Sequence, residues 1–158
     1  FVKHLQSTDR PDCMIIRQVT QMTNKVLAID DDSAMTELLT LLLKTHGFSI
    51  MTANSGEDGV AMARKDPPDV IILDLMMPGM DGWQVCTEIR TFSSVPIVIF
   101  SALDNPGLIA STLDAGADDY LVKPVPSGTL VAHLNKLIRR TEMNKGNIFI
   151  PQIAPFQA

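Results

Sequence analysis

The chain has 158 residues and a mass of 17.3 kDa, room for one domain with tails. It is 46% hydrophobic and 20% charged, the usage of an ordinary globular protein, which excludes disorder throughout. Thirteen Lys and Arg against eighteen Asp and Glu give a net charge of −5, which argues against a nucleic-acid binder in need of a basic face. Apolar runs such as 96–100 are far too short to cross a membrane, and no secretory signal pattern opens the chain. A cytoplasmic protein with no membrane contact is the expectation.

In chain order, Phe1–Asn24 reads as an extension. Ile15, Val19 and Met22 share one helical face behind Pro11, which predicts a short amphipathic helix. Lys25–Ile29 is a predicted strand that runs into Asp30, Asp31 and Asp32. Ser33–His46 carries leucines at helical spacing and stops at Gly47. Ser49–Ala53 is a short strand. Ser55–Lys65 is a second helix, with Ser55 and Asp58 placed as a capping box, and Pro67-Pro68 follows it. Val70–Leu73 is apolar and mostly β-branched, so a strand buried on both faces is expected. Pro78-Gly79 marks a turn before a helix over Gly82–Phe92. Pro96–Phe100 is a strand, Asn105–Ala115 a helix closed by Gly116, and Asp119–Val122 a short strand. Pro126–Arg140 is the last helix, with two arginines at its negative end. Glu142–Ala158 follows, and its Ile148, Phe149, Ile150, Ile153 and Phe156 are apolar enough to dock on the domain or on a neighbour.

Five strands alternating with five helices predict an α/β fold, a parallel sheet covered on both faces. The domain is placed at 25–140, between an N-terminal extension (1–24) and a C-terminal tail or linker (141–158). Phe1 stands where a start methionine would, which points to a start inside a longer protein. Cys13 and Cys86 do not make a disulfide framework, and no cysteine–histidine cluster has zinc spacing. His4, His46 and His133 read as isolated surface or helix-face residues.

In open α/β sheets the chemistry lies beyond the carboxyl ends of the strands. Strand one ends in Asp30 and Asp31, strand three in Asp74 and strand four in Ser101, and strand five is followed by Lys123-Pro124. Clustered carboxylates repel one another unless a cation is present, and a hard divalent ion with oxygen ligands relieves that repulsion. A lysine beside the cluster can hold an incoming anion, and a hydroxyl opposite can donate to its oxygen. The combination describes a phosphoryl acceptor site with a carboxylate nucleophile. Asp32 and Ser33 read as helix-cap residues.

These residues lie in VLAIDDDSAM (26–35), DVIILDLMMPGMDGWQV (69–85), PIVIFSA (96–102) and AGADDYLVKP (115–124). In that order and spacing, the chain resembles the response-regulator receiver domain of two-component signalling, of the chemotaxis-regulator kind, across 25–140. The resemblance implies a flavodoxin-like (βα)5 fold with strand order 2-1-3-4-5. It implies that Asp74 takes a phosphoryl group from a histidine kinase or phosphotransfer protein. It further implies that Asp31, Asp74 and the backbone carbonyl of Met76 bind Mg²⁺ (or Mn²⁺), with Asp30 acting through water. Lys123, with a cis bond to Pro124, then pairs with the phosphoryl group. Ser101 and Tyr120 are the switch pair that reshapes the face of helix four, strand five and helix five for an output partner. The chain is then no enzyme, beyond catalysing its own phosphoryl transfer and a slow autodephosphorylation.

Met76 and Leu103, two residues beyond Asp74 and Ser101, carry no polar group to orient a water. Thr129 and His133 stand where the winged-helix subfamily usually has the Glu and Arg of its dimer, so only a weak or phosphorylation-dependent homodimer is expected. Three rival readings fit the residues less well. A non-phosphorylated pseudo-receiver normally lacks an acid, the acceptor or the lysine, and all are present here. A haloacid-dehalogenase-like phosphatase would use Asp30 in an Asp-x-Asp pattern and leave Asp74 without a role. A flavin binder would need a phosphate-cradling loop that the sequence lacks.

Overall fold

The computed structural model describes residues 23–146. Expectations for Cys13, His4, the helix around Ile15–Met22 and the apolar segment from Ile148 lie outside these residues. Five strands and five helices alternate: β1 (Lys25–Ile29), α1 (Ser33–Thr45), β2 (Ser49–Ala53), α2 (Gly56–Lys65), β3 (Val70–Leu73), α3 (Gly82–Arg90), β4 (Ile97–Ser101), α4 (Pro106–Asp114), β5 (Asp119–Val122) and α5 (Ser127–Gly146). The strands form one parallel sheet in the order β2-β1-β3-β4-β5.

The central strands can be apolar at nearly every position because both faces are covered. Alternate residues point to opposite layers. Val26 and Ala28 of β1 join Val70, Ile72, Val98 and Phe100 against Leu39 and Leu43 of α1 and Leu130, Leu134 and Leu137 of α5. Leu27 and Ile29 join Ile71, Leu73, Ile97 and Ile99 against Ala63 of α2 and Val85, Cys86 and Ile89 of α3. Cys86 is fully buried, and its thiol donates to the Ala115 carbonyl at 3.6 Å. Burial pushes that thiol above its usual range, which keeps it unreactive.

Local signals explain most helix ends. Asp32 caps α1, its side chain accepting from Ala34 N–H, and Gly47 follows the helix at φ +83°. Ser55 accepts from Asp58 N–H at 3.1 Å, so the cap at α2 forms from the serine side. The full reciprocal capping box lies instead at α3, between Asp81 and Gln84. Asn105 caps α4 with Pro106 in its first turn.

Several helix ends differ from the sequence reading by one residue, and three elements differ for a local reason. Helix α3 ends at Arg90 rather than Phe92, because the Thr91 hydroxyl turns back to the Glu88 carbonyl at 2.6 Å. Strand β4 begins after Pro96, which has no N–H for a ladder, and includes Ser101. Helix α5 runs on to Gly146, because nothing in Thr141–Lys145 breaks a helix; those residues are helical rather than tail. No helix among the described residues is long and apolar enough to cross a membrane.

Candidate phosphoryl-acceptor site

The site follows from the sheet order. The chain runs from β1 outward to β2, then crosses back over β1 to β3, so β1 and β3 are neighbours whose connections leave in opposite directions. Their register pairs Ile29 with Leu73, and Asp74 N–H donates to the Ile29 carbonyl at 2.9 Å. Asp30 and Asp74 therefore emerge side by side. Ser101 pairs with Val122, and Lys123 N–H donates to the Ser101 carbonyl at 2.8 Å, which brings the hydroxyl and the lysine to the same sheet edge.

The side chains converge accordingly. Carboxylate oxygens of Asp30, Asp31 and Asp74 lie within 4.8 Å of one another. Asp30 and Asp74 are buried, at 4% and 8% exposure, while Asp31 is exposed. Lys123 Nζ donates to Asp30 Oδ2 at 2.7 Å and lies 3.7 Å from Asp74 Oδ1. The other Asp30 oxygen accepts from Asp32 N–H at 2.9 Å. Lys123 is thus held at Asp30, one step from Asp74, and its bond to Pro124 is cis.

Burial raises the pKa of Asp74 above the usual carboxylate range. Lys123 opposes that shift, and the charges of Asp30 and Asp31 add to it. Three acids against one lysine leave net negative charge in a partly buried site. The donor set fits a hard divalent cation: only oxygen ligands, from two adjacent loops, with one carboxylate open to solvent. Met76 lies in the β3–α3 loop two residues past Asp74 and is 63% exposed; its thioether does not suit a hard cation, so it can offer only its backbone carbonyl.

Ser101 is buried at 1% exposure, and its Oγ accepts from Leu103 N–H at 3.4 Å. The Tyr120 hydroxyl donates to the Leu103 carbonyl at 2.7 Å. Burial raises the Tyr120 pKa, and the Ser101 hydroxyl beside it acts the other way. The backbone of Leu103 therefore joins the serine to the tyrosine, a role its apolar side chain gives no hint of in the sequence.

His133 is not isolated, as the sequence reading had it: its Nδ1 pairs with Asp119 Oδ2, linking α5 to β5, while Asp119 Oδ1 accepts from Tyr120 N–H at 2.9 Å. His46 Nδ1 likewise contacts the Leu42 carbonyl at 2.9 Å. Sequence reasoning also missed Gly82. A β-carbon there would lie 2.4 Å from the Asp74 carbonyl oxygen, so glycine lets the start of α3 press against the acceptor's backbone. Asn54, in the turn between β2 and α2, and Glu57, in the first turn of α2, were missed as well.

The family model of the response regulator receiver domain matches residues 26–135. Transcriptional regulatory protein AfsQ1 of Streptomyces coelicolor is 42% identical over 117 residues, 74% of this chain and 52% of that protein. Response regulator MprA of Mycobacterium leprae is 42% identical over 119 residues, 75% of this chain and 52% of that protein. The solved receiver domain of the Francisella response regulator 1452 superposes with a TM-score of 0.72 at 32% identity, covering 75% of this chain and 99% of its own. A doubly wound five-stranded α/β fold with acids, a hydroxyl and a lysine at its switch point defines the class. The chain belongs to the response regulator receiver domain family. It spans about half the length of the curated relatives it matches.

Proposed function

We propose that this receiver domain takes a phosphoryl group from a histidine kinase or phosphotransfer protein onto Asp74, and that the modification resets the face built by α4, β5 and α5. The observation that carries the reading is the joint placement of Asp30, Asp31, Asp74 and Lys123 around one point at the sheet edge.

In that reading an Asp74 oxygen attacks the phosphorus, the P–N bond of the donor phosphohistidine breaks, and its electron pair returns to the imidazole. Asp74 must be ionised to attack, and Lys123 favours the ionised form. Lys123 is also placed to donate to a phosphoryl oxygen, sharing its charge between Asp30 and the new group. Asp30, Asp31, Asp74 and the Met76 carbonyl are the residues that would hold Mg²⁺ or Mn²⁺. Bound there, the ion would neutralise charge on the transferring phosphoryl group. Ser101 Oγ turns to donate to a phosphoryl oxygen, and this displaces its contact with Leu103 N–H. Leu103 also holds the Tyr120 hydroxyl, so the change passes to β5 as a shift between two packings.

The chain catalyses only its own phosphoryl transfer and slow hydrolysis. The relatives are named as a transcriptional regulatory protein and a response regulator, which supports a regulatory output. Intact-mass measurement after incubation with acetyl phosphate tests the reading. One phosphoryl adduct is expected with Mg²⁺, and none with EDTA. No adduct in either buffer, where another receiver is labelled, would favour a pseudo-receiver.

Hydrolysis of the adduct should be slow, because Met76 and Leu103 offer an incoming water no side-chain hydrogen bond. A phosphoryl lifetime of minutes or longer is expected by quenched-time-point mass measurement. A lifetime of seconds would refute this account of water positioning.

A further inference from the structure

We propose that the segment Asn54–Glu57, which leads from β2 into the first turn of α2, is a brace that sets the separation of the two acidic loops, with Asn54 and Glu57 as its positioning residues. The inference rests on the receiver reading, since the divalent cation of that reading draws ligands from both loops. One loop carries Asp30 and Asp31 and the other carries Asp74 and Met76. The last backbone bond between them is Asp74 N–H to the Ile29 carbonyl. Beyond it, each loop is tied to the same third segment.

On one side, Asn54 uses both protons of its amide. Nδ2 donates to the Asp30 carbonyl at 2.8 Å and to Thr36 Oγ1 at 3.1 Å. Thr36 is buried in the first turns of α1, and its own hydroxyl donates to the Ser33 carbonyl at 3.0 Å. The two anchor points lie on either side of Asp31 in the chain, so they fix the path of the loop that carries it. On the other side, Glu57 Oε1 accepts from Met80 N–H at 3.2 Å. Gly56 packs directly on the same residue: a β-carbon at position 56 would lie 2.5 Å from the Met80 carbonyl oxygen. Gly79, at φ +73°, turns the loop into that contact. The turn itself is stiff, because Ser55 caps α2 through Asp58 N–H.

Mg²⁺ demands near-ideal octahedral geometry, so a small change in loop separation weakens its binding. Groups that orient ligands typically change metal affinity by about 10–100-fold, and these bonds act on loop backbone rather than on the ligands themselves, which places their effect at or below the low end of that range.

The test follows Mg²⁺ titrations through the fluorescence of Trp83, the only tryptophan, which opens α3 next to the acceptor loop. Asn54→Ala and Glu57→Ala are each expected to weaken Mg²⁺ binding about three- to tenfold. Glu57→Gln keeps an acceptor oxygen and should stay within about twofold of the parent. Saturating Mg²⁺ should restore labelling by acetyl phosphate in both alanine variants, and melting in EDTA should show that they are folded. Should Asn54→Ala fail to fold, Thr36→Val removes one of the two acceptors without changing volume, and should still weaken Mg²⁺ binding. Folded variants with parental Mg²⁺ affinity, beside a parent that binds Mg²⁺ and is labelled, would overturn the brace and leave the receiver reading intact. A parent that neither binds Mg²⁺ nor is labelled would overturn both.

Discussion

Lys123→Met is expected to cut the rate of labelling by acetyl phosphate about 10²–10³-fold, the usual cost of removing one preorganised donor from a site where charge develops. The lysine sits 2.7 Å from Asp30 and 3.7 Å from Asp74, and no other ion pair among the described residues reaches either acid. The same change leaves Asp30 buried without its partner. Truncating one member of a buried pair costs about 3–5 kcal/mol, and the partial exposure of Lys123, 18% of its side chain, reduces this to about 1–3 kcal/mol. Chemical denaturation in EDTA measures the loss. A variant labelled at the parental rate would show that Lys123 touches Asp30 alone.

Asp74→Asn is expected to abolish labelling and, in metal-free buffer at neutral pH, to raise the melting temperature. The sign follows from the Asp74 pKa, which is raised by burial first and by Asp30 and Asp31 in addition, against Lys123. Between the unfolded pKa, near 3.8, and the raised folded value, the folded state binds more protons than the unfolded state. Stability therefore falls as pH rises through that window, and above it the ionised Asp74 is a constant cost. An uncharged amide of the same shape removes the cost. The gap between parent and variant should close on acidification to about pH 4, and should narrow in the parent when Mg²⁺ is added. Melting curves from pH 4 to 8 check this; a variant less stable than the parent at pH 7 without metal would contradict it.

How legible the protein was depended on the range of the signals. β1, β2, β3 and β5 begin and end where the sequence placed them, because polar or turn-forming residues such as Asn24, Asp30, Asn54, Asp69, Asp74 and Asp118 bound them. The contrast with the flanking residues is local: Asn54 follows β2, and Lys123-Pro124 follows β5. The end of α5 was misplaced because a pair of arginines suits a helix end but does not stop a helix; Thr141–Gly146 simply continue it. Asp30, Asp31, Asp74, Ser101 and Lys123 could be singled out because their chemistry is uncommon at the ends of apolar strands, and the parallel sheet gathers strand ends.

The supporting residues have no such signature. Asn54 and Glu57 look like any polar turn and helix start, and their partners are backbone groups 24 and 23 residues away. Arg90 looks like a helix-end cation. In the structure it donates to the Gly116, Ser93 and Val95 carbonyls and to Asp118, and so fixes where β5 begins. His133 looked solitary because Asp119 is 14 residues away and on another element. Tertiary hydrogen bonds to backbone leave almost no trace in composition or periodicity, and Gly82 was the nearest thing to a readable hint of close approach.

The central claim is that Asp74, and not Asp30 or Asp31, carries the phosphoryl group. An acyl phosphate is reduced by borohydride to an alcohol, which marks the carboxyl that bore it. Borohydride trapping after incubation with acetyl phosphate and Mg²⁺, followed by peptide mapping, reads the position directly. Reduction confined to position 74 is the expected result. Reduction at position 30 would point instead to phosphatase-like chemistry at the end of β1 and would contradict the account.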